Sequence, residues 1–313
     1  MAMNSILSCI EVFLTDGLMY SLLAMGFYIS FSILDFPDLS VEGTVLLGGI
    51  SYSLLVCANI NPWLAIIIAF ILGAAAGAIT GFLHVKLKIR PLLCGILVST
   101  ALISVNLVVA VVGMGGTLKG DGALSTVSFA RNDATVLRAF PAKLLPDNIG
   151  GVNIRALITF LAIAVIFKLI LDWYLKTKNG LLLRATGNNA QFVSMLAQDP
   201  GKSKIIGLAI ANGYSAVAGA LIATSRGNAN QGMGIGMVVI GLASVIIGLS
   251  IFGKIRFIKP TTMCIFGSII YQACLSIATY LGVPSAYNKL IMAILFTIAL
   301  VCSNIIKKGE NVE

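Results

Sequence analysis

Charge is scarce in this 313-residue chain. Only 11% of its residues are Asp, Glu, Lys or Arg, against roughly 25% in a soluble domain. A soluble core of this size does not require so few, so composition argues against a soluble globular protein. Histidine occurs once, as His84 beside Lys86 at the edge of an apolar run, where interfacial packing is the expected role. No GxSxG or HExxH pattern is present, which leaves catalysis unsupported. The six cysteines (Cys9, Cys57, Cys94, Cys264, Cys274 and Cys302) lie in or beside apolar segments without CxxC spacing. That argues against a disulfide framework or a zinc site and favours small buried side chains. The N-terminus lacks a basic region and an Ala-x-Ala-like site, so the first apolar span is expected to remain.

What the chain does have is apolar length. It is 58% hydrophobic, with mean hydropathy +1.00. Its 32 glycines suit helices that pack closely in a bilayer. The expected fold class is an all-α polytopic membrane protein in a lipid bilayer, one domain over 1–313. A span needs ~20 residues. On that measure the nearly charge-free intervals 17–34, 43–85, 91–118, 154–175, 205–225, 227–253, 260–288 and 290–306 hold about nine spans, within a range of about eight to ten. Asn59, Asn61 and Pro62 divide the second interval into two spans. A separate interfacial helix over about residues 4–15 would raise the count to ten.

The net charge of +9 does not indicate nucleic acid, because the basic residues fall in short clusters between spans. Lys86, Lys88 and Arg90 form one cluster. Lys168, Lys176, Lys178, Arg184, Lys202 and Lys204 form the largest, Lys254, Arg256 and Lys259 a third, and Lys307 and Lys308 the last. Two spans separate successive clusters, so all can face the cytoplasm. The connections between them are then external: Asn59–Pro62, 115–151, Arg226–Gly232 and the turn near Gly282–Ser285. Segment 115–151, with Pro141 and Pro146, reads equally as a docking surface or as a plain surface loop.

One stretch breaks the pattern. "SILDFPDLSVEGTVLLGG", Ser32–Gly49, holds Asp35, Asp38 and Glu42 around Pro37 and has no basic residue. Pro37 cannot continue a helix cleanly. Asp38 or Ser40 can cap a new helix, with Glu42 in its positive first turn. Acids within a membrane must face protein or water. A helix broken near residues 35–42 is therefore expected, its acids either touching solute or capping and bracing helices. A second irregular stretch, "RGNANQGMGIGMVVIGLASVIIG", is Arg226–Gly248. Two such interruptions, one in each half, are the pointer to a transporter's central site; two helix ends with ordinary turns are the plain alternative. The candidate pathway residues are Asp35, Pro37, Asp38, Leu39, Ser40, Glu42, Gly43, Asn228, Gln231, Met233 and Gly234.

"GLSIFGKI", Gly248–Ile255, nearly matches a phosphate-binding loop. It fails because Ile255 replaces the required hydroxyl and the stretch ends a span. No nucleotide site remains, so any ATP must be bound by a partner and this chain is not expected to be an enzyme. Gly73, Gly77 and Gly81 form a repeated GxxxG, expected to admit a close helix neighbour. Asn106, Asn212 and Gln272 lie within spans, where interhelical hydrogen bonds are the expected use.

The cytoplasmic segment 176–204 is the largest on its side. About Asn188–Ala197 should form a short helix outside the membrane, flanked by Gly187 and the Asp199–Pro200–Gly201 turn. Such a helix is a natural handle for a soluble partner.

Four stretches carry a family resemblance: "LLAMGFYISFSILDFPDLSVEGTVLLGG", "LKIRPLLCGILVSTALISVN", "GLLLRATGNNAQFVSML" and "GMGIGMVVIGLASVIIG". In order and spacing they resemble the permease subunits of bacterial ABC importers of the branched-chain amino acid and ribose type. The chain is most similar to the group encoded with tryptophan/tyrosine-type binding lipoproteins. The external segment around Leu118–Pro146 matches least. The resemblance implies a multi-pass permease of the bacterial cytoplasmic membrane, in a homodimeric or pseudo-dimeric core. Two ATPase subunits would bind ATP and magnesium, this chain no cofactor, and an extracytoplasmic binding protein would deliver a small solute. An amino acid, aromatic in the most similar group, is the expected solute, with specificity largely in the binding protein. The resemblance also places the segment Asp38–Ser40 at a broken helix near the path, and a coupling helix within Arg184–Asp199. Arg184, Gly187, Asn188, Asn189, Ala190, Met195 and Asp199 are the candidate coupling residues, and proline at Ala190 is expected to disrupt them. The competing class is an ion-coupled secondary transporter using Asp35, Asp38 and Glu42 as proton or cation sites. A membrane scaffold or sensor is a third, with no signalling domain to support it.

Overall fold

The computed structural model describes residues 2–115, 126–129, 135–139, 142, 153–255, 257–284 and 287–310. Most of segment 115–151, with Leu118, Pro141, Pro146 and Gly151, lies outside the described residues, as do Arg256 and Ser285. Helix α1, Ala2–Phe27, runs directly into a π-helical segment, Tyr28–Ile33. The separate interfacial helix expected at residues 4–15 is instead the N-terminal half of α1. No proline or glycine precedes Gly17 to end the helix sooner.

After an irregular stretch come α2 (Val41–Cys57), α3 (Pro62–Leu87) and α4 (Pro91–Gly113). Helix α5 is Ile154–Tyr174, and α6 (Lys178–Asn188) and α7 (Ala190–Met195) lie in segment 176–204. Helices α8 (Pro200–Arg226), α9 (Met237–Phe252), α10 (Pro260–Tyr280) and α11 (Asn288–Glu310) complete the chain. Prolines 62, 91, 200 and 260 each open a helix, where the missing N–H costs nothing. Asn61 Oδ1 accepts from Trp63 N–H at 3.0 Å, and Asn153 Oδ1 from Ala156 N–H at 3.2 Å, capping α3 and α5.

Among the described residues, seven segments are long and apolar enough to cross a membrane: Cys9–Ile33, α3, α4, α5, α8, Gln231–Phe252 and α10. Two shorter apolar helices, α2 and Lys289–Val301 within α11, bring the set to the nine expected. The protein is an all-α multi-pass membrane protein.

The pattern of neighbours divides the chain into two similar sets. Helix α3 packs on α8 as α10 packs on α1. Helix α2 packs on α3 and α4 as α9 packs on α10 and α11. Alternating spans make α8, the sixth crossing helix in order, run opposite to α1. The two sets are thus related as an inverted repeat, with α5 between them. Helices α1 and α8 form the centre: 78% of the apolar window of each is buried, against 33% for α4 and α5. The outer faces of α3 and α4, with Ile67, Ile71, Ile79, Leu97 and Val112 exposed, suit lipid.

Close packing at the centre depends on missing side chains. A Cβ at Gly48 of α2 would strike the Ala216 carbonyl of α8, and one at Gly219 of α8 would strike the Val45 carbonyl of α2. Along α3, Cβ atoms at Gly73, Gly77 and Gly81 would meet Asn212 and Ala216, Leu208, and Ile205 of α8. The glycine ladder thus faces a helix backbone rather than lipid.

Candidate functional site

The two interruptions lie on either side of the same region. In the first, the π-helical segment leaves Leu34 N–H bonded to Ile29 O at 3.0 Å and Phe36 N–H to Ser30 O at 2.8 Å. Asp35 follows with φ +51°, outside the region normal for a side-chain-bearing residue, and is exposed with Pro37. Asp38 turns inward and is 1% exposed. Its Oδ1 accepts from Ser40 N–H at 2.8 Å and its Oδ2 from Asn212 Nδ2 at 2.7 Å.

Asn212 holds the region together. Its Oδ1 accepts from Ser40 Oγ at 3.2 Å and Thr44 Oγ1 at 2.8 Å, and its Nδ2 also donates to Leu208 O at 3.2 Å. Asn212 is twelve residues into the 27-residue α8, about 18 Å from its start at 1.5 Å per residue. The network therefore sits near mid-helix. The hydroxyl of Ser40, expected to cap α2, makes no capping bond there and is turned across to α8. Ser40 caps through its carbonyl alone, which accepts from Thr44 N–H at 3.0 Å.

Leu39 passes over α4, where a Cβ at Gly95 would come within 2.6 Å of Leu39 N. Gly43 rests on Leu102 of α4, and its carbonyl accepts from Asn106 Nδ2 at 2.9 Å. Asn106 Oδ1 is buried and unpartnered among the described residues.

The second interruption begins at the C-terminal end of α8. Strand β2 (Asn228–Asn230) pairs antiparallel with β1 (Thr126–Ser128), Thr126 opposite Asn230. The described part of segment 115–151 is thus knit to this break. It is further tied to α2 by Val136 N–H donating to Tyr52 OH at 3.1 Å. A 3-10 turn, Gln231–Gly234, then brings the chain down beside α2. Met233 contacts Gly49, and a Cβ at Gly234 would strike the Glu42 carbonyl. Gly236, at φ +88°, is the N-cap of α9. The Glu42 carboxylate accepts from its N–H at 3.0 Å.

The structure thereby brings together Asp38, Ser40, Glu42, Gly43, Met233 and Gly234. Asp35 and Pro37 lie apart on an exposed edge. Asn228 Nδ2 donates to Arg226 O at 3.3 Å and Asn228 Oδ1 accepts from Asn230 Nδ2 at 3.4 Å, so the side chain serves its own loop. Gln231 is half-buried. In the sequence Asn212 is one polar group among three within spans, and Gly236 carries only the weak helix-start signal of a glycine before an apolar run. Electrostatically, two half-helices point positive N-termini at one carboxylate, an arrangement suited to polar solutes passing between them.

In segment 176–204, α6 continues through Arg184, Gly187 and Asn188, so Gly187 is helical rather than a flank. A Cβ there would strike the Ile33 carbonyl, which places α6 directly against the end of the first break. Asn189 caps α7, its Oδ1 accepting from Gln191 and Phe192 N–H at 3.0 and 3.1 Å. Asp199 caps α8 through Gly201 N–H at 2.8 Å. Val193 is fully buried, while Phe192, Met195 and Leu196 are exposed. Ala190 is the first residue of α7 and follows an extended Asn189. Proline is accommodated at such a position, so Ala190→Pro is not the disruptive substitution expected. His84 is a packing residue, its Nδ1 2.8 Å from Ile89 O and its ring on Phe36.

Comparison with known proteins agrees with this geometry. Residues 9–300 match the family described as branched-chain amino acid transport system, permease component. A protein of Clostridioides difficile named "Tyrosine transport system permease protein" is 37% identical over 292 residues, covering 93% of this chain and 90% of that one. An uncharacterized protein of Rickettsia prowazekii is 30% identical over 302 residues, covering 95% and 97%. No solved structure matches. With two inverted broken-helix units meeting at its centre and a family match over nearly its whole length, the chain belongs to the branched-chain amino acid transport system permease family, the membrane-spanning components of ABC importers.

Proposed function

We propose that this permease moves an amino acid, of the aromatic class, from an external binding protein to the cytoplasm. ATP hydrolysis in partner subunits would drive it. The observation that carries the reading is the meeting of α2 and α9, two short helices whose N-termini converge on Glu42 near the middle of the bundle. Helices that start inside a membrane leave free N–H groups for a passing solute. The name of the Clostridioides difficile relative supports the solute class.

Coupling would run through α7. Its exposed Phe192 and Met195 offer an apolar handle to an ATPase groove, and the contact of Gly187 with Ile33 links α6 to the broken helix. Movement of the handle would then reach the pathway through one layer of packing. A second copy of the chain would complete the membrane core. ATP and magnesium would bind only to the partner ATPase.

The ion-coupled alternative fits the acids less well. Both oxygens of Asp38 are engaged by Ser40 and Asn212, and Glu42 holds Gly236. These bonds suit bracing better than cation exchange. The test is co-purification from the native membrane in mild detergent, followed by reconstitution in vesicles. An ATPase and a lipid-anchored binding protein in fixed stoichiometry, with ATP-dependent uptake of an aromatic amino acid, are expected. Uptake by this chain alone that collapses with an uncoupler would overturn the proposal.

A further inference from the structure

A second polar feature lies away from the broken helices, near the outer ends of α1, α8 and α10. Cys9, Val12, Asp16 and Tyr20 recur along one stripe of α1, and Gln272, Leu275, Ser276 and Thr279 along one stripe of α10. Residues at such spacings share a helix face. The two stripes, with Arg226, Tyr280 and Met292, line an open cavity of about 410 Å³. That is within the usual range for small-molecule sites, roughly 300–1,000 Å³.

The cavity holds one charge of each sign. Arg226 Nη2 donates to Tyr20 OH at 3.2 Å, which fixes the guanidinium over the wall. Asp16 lies one turn from Tyr20 on the same face, and the Arg226 charge reaches it, yet no direct ion pair joins them among the described residues. The opposite wall supplies Gln272. It is 5% exposed and lines the cavity. Leu275 and Met292 give the same space an apolar side.

We infer that this cavity is an outward-facing site for a free α-amino acid. The carboxylate meets Arg226, the ammonium meets Asp16, Gln272 bonds the same end, and the side chain lies against Leu275 and Met292. A sugar would leave both charges unpaired, and a monoamine or monocarboxylate would leave one. The permease would therefore select zwitterions itself, beyond the selection made by a binding protein. The inference rests on the amino-acid reading proposed above.

Cys9 on the wall provides a test in the unaltered complex. Its modification by a charged, membrane-impermeant methanethiosulfonate is followed by peptide mass spectrometry. At 10 mM, L-phenylalanine bound with a Kd of ~1 mM should slow the reaction about tenfold. Phenethylamine, which lacks the carboxylate, and 3-phenylpropionate, which lacks the ammonium, should slow it less than twofold. Arg226→Gln should erase the preference over phenethylamine and Asp16→Asn the preference over 3-phenylpropionate, with Arg226→Lys restoring part of the first. Equal protection by all three compounds, or none by any amino acid in a complex that transports one, would overturn the site and leave the transport reading standing. A complex that assembles with its ATPase yet transports no amino acid would overturn the transport reading instead.

Discussion

The carboxylate of Glu42, in the first turn of α2, accepts a hydrogen bond at 3.0 Å from the N–H of Gly236, the residue that begins α9. The two residues are 194 positions apart in the chain. One acid thus serves two positive helix ends at once, and its favourable interaction with both dipoles holds the halves of the bundle in register. Glu42→Ala should lower stability by ~1–3 kcal/mol, the usual cost of leaving such a bond unmade. Glu42→Gln keeps an acceptor but loses the charge and should fall between. Thermal unfolding in detergent separates the three proteins, and equal midpoints would refute the bridge.

Asn212 is the second shared brace, joining Asp38, Ser40 and Thr44 to α8. Asn212→Leu leaves a buried carboxylate oxygen and the Ser40 hydroxyl short of partners, while Thr44 keeps the Ser40 carbonyl as acceptor; the cost should be about 3 kcal/mol. Ser215→Ala removes a hydroxyl that bonds only within α8, to Ala211 O. It should be nearly neutral by the same measurement.

Gly77 of α3 faces the Leu208 carbonyl of α8, whereas Ala75 of the same helix is exposed. Gly77→Val should force α3 off α8 and destabilise by ~1–3 kcal/mol. Ala75→Val projects into lipid and should change little. Similar yields and unfolding midpoints for both variants would remove the close-packing argument.

The handle on α7 separates folding from coupling. Met195 is 83% exposed, so Met195→Glu and Phe192→Glu should leave the permease folded. They should sharply reduce capture of the ATPase and solute-stimulated hydrolysis. Ala190→Pro should retain both, because Ala190 opens the helix. Loss of coupling in Ala190→Pro with full activity in Met195→Glu would refute this assignment.

The sequence by itself determined the class and most of the layout. Apolar length and scarce charge require backbone groups to be satisfied within helices, and the helices follow. Pro62, Pro91, Pro200 and Pro260 mark their own helix starts, because proline fits only the first turn. Pro37 and the glycines of 232–236 announce both breaks for the same local reason. The short α7 is legible from its flanking turn residues, but Gly187 lies within α6 rather than at a boundary. Helix propensity around it outweighs one glycine once α6 packs on Ile33.

What only the tertiary structure decided is which groups meet. Nothing local tells Glu42 that its partner is Gly236, or Asp38 that Asn212 will face it, since those pairings depend on how α2 lies against α8 and α9. Ser40 shows the same limit: its sequence position suits a cap, but a buried hydroxyl takes the best acceptor in reach, and that acceptor is on another helix. The cavity between α1 and α10 likewise exists only when two stripes remote in sequence are brought face to face. Local chemistry fixes where helices begin and break; the partners of their buried polar groups are fixed by packing.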